Sequence, residues 1–187
     1  MDSAFLQAPR PHVCLRLRLE PLTLGHLFLL RECEVNVDAV NVADLVLGVF
    51  ICSTSHTQAR KNLGSWWSRW FMAALGFLCR KLNPREEAEK FFAYIEDGMR
   101  SPMMHPHKHG PARRLSAPEE WRLLVMLEAD FHKSKSEALG MTMHEILCRW
   151  ATEADRQGNQ SIMTDDEREF WEFAQRMDRE KFAAAKN

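Results

Sequence analysis

The chain has 187 residues, with 25 Lys and Arg against 26 Asp and Glu and a formal net charge of -1, so it lacks the cationic footprint of a dedicated nucleic-acid binder and implies no acidic substrate. That length suffices for one domain with a sizeable core or for two small helical subdomains joined by a linker. Five cysteines, Cys14, Cys33, Cys52, Cys79 and Cys148, are widely spaced, mostly in apolar runs, and form no Cys-x-x-Cys pair, which fits a reducing compartment and excludes a zinc ribbon or a redox motif of that type.

The first residues, MDSAFLQAPRPHVCLRLRL, lack the charged start and continuous apolar core of a secretory signal. The nearly uncharged runs at 46–57 and 70–79 fall short of the ~18 to 20 residues that cross a bilayer. A soluble cytoplasmic protein is expected.

Along the chain, the alternation Cys14-Leu15-Arg16-Leu17-Arg18-Leu19 reads as a short β element near residues 13–19, which needs a partner to be stable. From Thr23, a plausible N-cap, the period turns helical with Leu24, Leu27, Phe28 and Leu30 close to one face. Val42, Leu45, Val46, Val49 and Phe50 make a second apolar stripe that begins at Asn41 or in the turn before it. Residues 54–81 give one helix or a pair broken near Gly64-Ser65, carrying Trp66, Trp67, Trp70, Phe71, Leu75, Phe77 and Leu78. Asn83-Pro84 starts the next helix, with Glu86, Glu87 and Glu89 complementing its dipole and Ala88, Phe91, Phe92, Ile95 and Met99 as its apolar face.

Residues 98–117 break the regularity with glycines and prolines and read as a linker. Beyond it, Ser116 with Glu119, Thr142 with Glu145 and Thr164 with Glu167 form Ser/Thr-x-x-Glu capping boxes that announce three helices. The first carries Trp121, Leu124, Val125, Leu127 and Phe131; the second, stopping at Gly158, carries Met143, Ile146, Leu147, Trp150, Ala151 and Ala154; the third carries Phe170, Ala174, Met177 and Phe182. Trp121, Leu124, Ile146, Leu147 and Trp150 are expected to form a small core.

Chemistry is scarce in this pattern. His105, His107 and His109 are the metal candidates by composition, but a site needs further ligands held rigidly, and a proline-containing linker argues against that. Asp130, His132, Glu137, His144 and Glu145 suggest an acid/base group on paper, yet Glu145 closes a capping box and Glu137 sits in a first helical turn. Asp165-Asp166-Glu167 lacks the glycine and spacing of an EF-hand loop. The tract Trp66 to Trp70 suits a helical core or a partner face, and alternatively the boundary of a membrane, where indoles favour the headgroups and Arg60, Lys61 and Arg69 meet anionic lipid.

Three segments carry a resemblance: PLTLGHLFLLRE at Pro21 to Glu32, DLVLGVFICS at Asp44 to Ser53, and SEALGMTMHEILCRWATEADRQG at Ser136 to Gly158. Together they resemble the tail assembly chaperones of tailed bacteriophages and prophages. The resemblance implies a small helical protein, not an enzyme and without cofactor or catalytic residues, that keeps the long apolar tape measure protein soluble until tail subunits assemble, in the host cytoplasm if phage-encoded. The His-rich linker and the Trp cluster are not part of that pattern. Ten methionines and six tryptophans supply adaptable contact surface for amphipathic helices.

The expected architecture is all-α, a bundle of about six to eight helices in two subdomains with one short amino-terminal β element. Its expected parts are a helical subdomain over 1–100, a His/Pro-rich linker over 101–116 and a three-helix module over 117–187. The expected partner-binding residues are Trp66, Trp67, Trp70, Phe71, Trp121 and Trp150, and the partner is a protein rather than nucleic acid.

Overall fold

The computed structural model describes residue 5 and residues 10–37, 41–105, 117–158 and 160–184, the side chains of 178–184 excepted. Among these residues the chain is all-α, with nine helices and a single two-stranded antiparallel sheet near the amino end. Contacts divide it into two units, the larger holding 10–37, 41–100 and 117–146 and the smaller 101–105, 147–158 and 160–184.

In the larger unit the alternating segment finds its partner in itself. β1 (Val13–Cys14) pairs with β2 (Leu17–Arg18) in the register Val13 to Arg18 and Cys14 to Leu17. The two intervening residues, Leu15 and Arg16, have φ of 50° and 64°, the double left-handed turn that matches strand twist and that usually demands Asn or Gly.

Thr23 caps α1 (Leu24–Glu32) by accepting the His26 N–H at 3.2 Å, as expected. The buried face of α1 consists of Leu24, Gly25, His26, Leu29 and Leu30, whereas Leu27 and Phe28 are half-buried. Asn41 caps α2 (Val42–Cys52) by accepting the N–H groups of Ala43 and Asp44 at 2.8 and 2.9 Å. Residues 45–52, Leu47 excepted, are buried, because α2 is apolar nearly all round and packs against α1, α3 (His56–Leu63), α4 (Trp66–Lys81) and α5 (Pro84–Gly98). The 54–81 tract is thus a helix pair. In α4 only Ser68, Leu75 and Cys79 are buried.

On α5 the buried line is Glu87, Phe91, Tyr94 and Gly98, a step of i, i+4, i+7, i+11. It lies one residue towards the amino end from Ala88, Phe92, Ile95 and Met99, which are half-buried. The reason is polar as well as apolar: Glu87 receives the Leu15 N–H at 2.6 Å, and the Tyr94 hydroxyl donates to the Glu20 carbonyl at 2.9 Å.

α6 (Glu119–Ala129) and α7 (Lys135–Gly140) pack against α1 and each other. α7 adds a helix to the expected number because Ser134 and Glu137 form a reciprocal capping box. Ser116 lies outside the described residues, and α6 starts after Pro118 without a side-chain cap. The carboxyl end of α7 is tied to the start of α1 by Leu24 N–H to Met141 O, 3.1 Å, and Met143 N–H to Leu22 O, 2.8 Å. Thr142 opens α8 (Met143–Arg156) by accepting the Glu145 N–H at 3.3 Å.

In the smaller unit the chain at 103–105 pairs with 161–163 through the bridge of Met104 to Ile162, with His105 N–H to Ser161 O and Met163 N–H to Met103 O, both 2.9 Å. Ala151 and Met163 are buried there. Gly158, at φ 69°, follows α8 in the left-handed conformation that ends a helix. Thr164 and Glu167 form the expected capping box at the start of α9 (Asp165–Ala184). No helix among the described residues is long and apolar enough to cross a membrane.

The expected core of Trp121, Leu124, Ile146, Leu147 and Trp150 does not form as such. Leu124 and Ile146 are buried in the larger unit, whereas Trp121 and Trp150 are 49% and 39% exposed, because α6 turns its buried line of Leu123, Leu124 and Leu127 inward and leaves Trp121 at its edge.

Candidate functional site

Four helices of the larger unit, α1, α3, α6 and α7, surround an open groove of about 610 Å³. Its floor depends on Gly25. A Cβ at that position would stand 2.4 Å from His56 Cγ and 2.8 Å from the Leu139 carbonyl oxygen, so only glycine lets α3 and α7 approach α1 this closely. Beneath lies His26, fully buried. Its Nδ1 accepts the Thr23 N–H at 3.3 Å and its Nε2 donates to the Thr54 carbonyl at 2.8 Å, which fixes one neutral tautomer. Burial lowers the pKa of His26, and burial with the nearby Arg60 guanidinium lowers that of His56.

The walls are aromatic and aliphatic. Phe28 and Trp121 meet edge to face at a centroid separation of 5.3 Å, a favoured arrangement for two rings. Leu29, Leu124 and Leu139 complete the apolar lining. Charged groups also line the groove: the Lys135 ammonium lies 5.7 Å from the Trp121 ring centroid, and Arg60 pairs with Glu32. It therefore offers apolar contact together with charge of both signs.

A second apolar surface lies on α4, where Trp66, Trp67, Trp70 and Phe77 are 62 to 68% exposed. Trp66 and Trp67 stack at 4.3 Å, and Phe71 leans on Phe50 of α2 at 5.8 Å. The expected partner-binding residues stand on three different helices. Trp66, Trp67, Trp70 and Phe71 share α4, Trp121 stands on α6 at the groove, and Trp150 belongs to α8 within the smaller unit. Phe28, Lys135 and Leu139 are groove residues that sequence reading missed, for no local pattern distinguishes a helix edge that faces a groove from one that faces solvent.

The residues considered for chemistry each have local partners or a local setting. His105 Nε2 lies 3.6 Å from Glu167 Oε2, and that carboxylate also accepts the backbone N–H and hydroxyl of Thr164. His107 and His109 lie outside the described residues, among which no group of three or more His, Cys, Asp or Glu side chains could hold a metal ion. Glu137 accepts from Ser134, His144 Nδ1 faces the Arg100 carbonyl at 3.1 Å, and His132 occupies a turn at φ 50°. Burial, with Glu87 close by, pushes the Cys14 thiol up to about 12, and burial pushes Cys52 up to about 12 as well, so both stay protonated at neutral pH. Comparison with protein-family models, with curated proteins and with solved structures gives no match to this chain.

Proposed function

We propose that this chain is a non-enzymatic interaction protein of the cytoplasm that takes the apolar face of a partner's amphipathic helix into the groove between α1, α3, α6 and α7. It does so in the manner expected of a phage tail assembly chaperone holding its tape measure protein. The observation that supports this reading is the groove itself, an open cleft of about 610 Å³ between four helices. Phe28, Leu29, Trp121, Leu124 and Leu139 give it a mainly apolar lining, beside the polar Glu32, His56, Thr57, Arg60, Lys135 and Ser136. Helix-in-groove recognition uses anchors at i, i+3, i+4 and i+7, and a mainly apolar lining with charged groups beside it suits such a face. Trp121, an edge-to-face pair with Phe28 and half exposed, is the type of residue that dominates binding energy at such contacts.

The test is co-expression with a tape measure protein from the same tail gene cluster. The wild-type chain is expected to raise the soluble fraction of the partner and to co-purify with it, and Trp121→Ala is expected to lose both while keeping its own fold. A wild-type chain that neither solubilises nor retains the tape measure protein refutes the reading.

A further inference from the structure

We infer that α4 is an in-plane docking helix for an anionic lipid surface, a function separate from the groove. Trp66, Trp70, Ala73 and Phe77 follow one another at spacings of four, three and four residues, with Trp67 and Ala74 beside them, so they form one stripe on a 3.6-residue helix. All six are exposed. The opposite line, Ser68, Leu75 and Cys79, is the face buried in the larger unit, which holds the stripe outward along a helix of 16 residues, roughly 24 Å long at 1.5 Å per residue.

Charge identifies the occupant. Between Leu45 and Arg85 the chain contains no Asp or Glu but has Arg60, Lys61, Arg69, Arg80, Lys81 and Arg85, although the net charge of the whole protein is close to zero. Arg60 pairs with Glu32 and Arg85 with Glu89, both acids outside that run. Arg69 and Arg80, eleven residues apart, fall along one edge of the stripe, and the Lys81 ammonium sits 4.6 Å from the Phe77 ring centroid near its carboxyl end. A cationic rim beside exposed indoles calls for a surface that is negative outside and apolar just beneath, as in a bilayer of anionic lipid, where Trp sits at headgroup depth. An acidic helix would satisfy the charge, but this stripe is presented by one convex helix rather than by a groove, which fits a flat interface better. The absence of any crossing helix among the described residues is compatible with a helix that lies in the plane.

Sedimentation of the full chain with vesicles tests this. The wild-type protein is expected to pellet with vesicles of phosphatidylcholine mixed with phosphatidylglycerol, to bind pure phosphatidylcholine far more weakly, and to be released by salt. Arg69→Gln/Arg80→Gln/Lys81→Gln is expected to weaken binding by about a hundredfold, near fivefold for each cation removed. Trp70→Glu/Phe77→Glu is expected to abolish binding with an unchanged circular dichroism spectrum, since both positions are exposed. The inference is overturned if the wild-type chain binds neither vesicle, if the Trp70→Glu/Phe77→Glu protein binds as well as the wild type, or if the stripe instead pairs two copies of the chain, seen as a dimer that Trp70→Glu dissociates and that ignores lipid. Because no tape measure protein is present, these outcomes do not depend on the groove.

Discussion

The backbone N–H of Leu15 donates to Glu87 Oε2 at 2.6 Å, and this contact anchors the tip of the amino-terminal hairpin to α5. Leu15 is 1% exposed and carries a positive φ, a conformation that costs an L-residue roughly 1–2 kcal/mol. The bond to Glu87 and the burial of the leucine side chain offset that cost. Burial raises the Glu87 pKa, but the hydrogen bonds from Lys90, 2.5 Å away, and from Leu15 outweigh it and hold the carboxyl below its ordinary range.

Replacing Glu87 tests that coupling. Glu87→Ala leaves the Leu15 N–H buried without an acceptor and is expected to destabilise the fold by about 1–3 kcal/mol, read as a lower urea midpoint. Arg16→Gly, at the exposed second turn position with φ 64°, is expected to act in the opposite direction by up to about 1 kcal/mol, because glycine adopts that conformation freely. An Arg16→Gly protein less stable than wild type contradicts the turn assignment.

Two glycines within helices should respond with opposite signs to the same substitution. At Gly48 of α2 an added Cβ would stand 2.6 Å from Phe91 Cζ, while at Gly76 of α4 nothing lies within 4 Å. Gly48→Ala should therefore destabilise by about 1–3 kcal/mol as the Phe91 ring is displaced. Gly76→Ala should stabilise by up to about 1 kcal/mol through helix propensity. Thermal melts of the two variants side by side decide it, and equal shifts would mean that α2 and α5 are not packed as described.

What the sequence displays and what it hides divide along a physical line. Capping residues act locally, so Thr23, Asn41, Asn83 and Thr164 mark helix starts that the structure keeps. The Ser134 and Glu137 box has the same Ser-x-x-Glu form and was legible in principle; it starts a helix too short to carry an apolar stripe. On α5 the expected Phe91 is buried, but Glu87, Tyr94 and Gly98 join it in place of Ala88, Phe92, Ile95 and Met99, and two of these three are not apolar. Glu87 is buried for its bond to Leu15, 72 residues away in the chain, and Gly98 for its approach to Leu22, where a Cβ would stand 2.7 Å from Leu22 Cβ. The groove is hidden for the same reason. Gly25, His56, Trp121 and Lys135 come from four helices, and only tertiary packing assembles them.

The thiols should sort by burial. Cys14, Cys52 and Cys79 are buried and Cys33 and Cys148 half-buried. Burial raises Cys33 and Cys79, with acidic neighbours adding to it, and Cys14 and Cys52 stand highest. Titration of the native chain with a disulfide reagent is expected to modify Cys33 and Cys148 and to leave the three buried thiols unmodified until denaturant is added. Rapid native labelling of Cys14, identified by peptide mapping, would show that the hairpin opens in solution.

His26 gives the fold a defined pH dependence. Its neutral tautomer is required by the Thr23 N–H on Nδ1 and the Thr54 carbonyl on Nε2, and burial lowers its pKa from the ordinary 6.5. Well above pH 6.5, from about pH 7.5 upward, both the folded and the unfolded imidazole are essentially neutral, so the full stability is present. As pH falls below that value the unfolded chain takes up a proton that the folded chain refuses, and stability declines by up to about 1.4 kcal/mol per pH unit until the folded pKa is reached. His56, lowered by burial and by Arg60, adds to the decline in the same window. Urea midpoints at neutral pH and at about pH 5.5 should differ accordingly. His26→Gln should be less stable at neutral pH, because its amide cannot reproduce both ring contacts, and should show a shallower decline on acidification. A decline as steep in His26→Gln as in the wild type would assign the pH dependence to other groups.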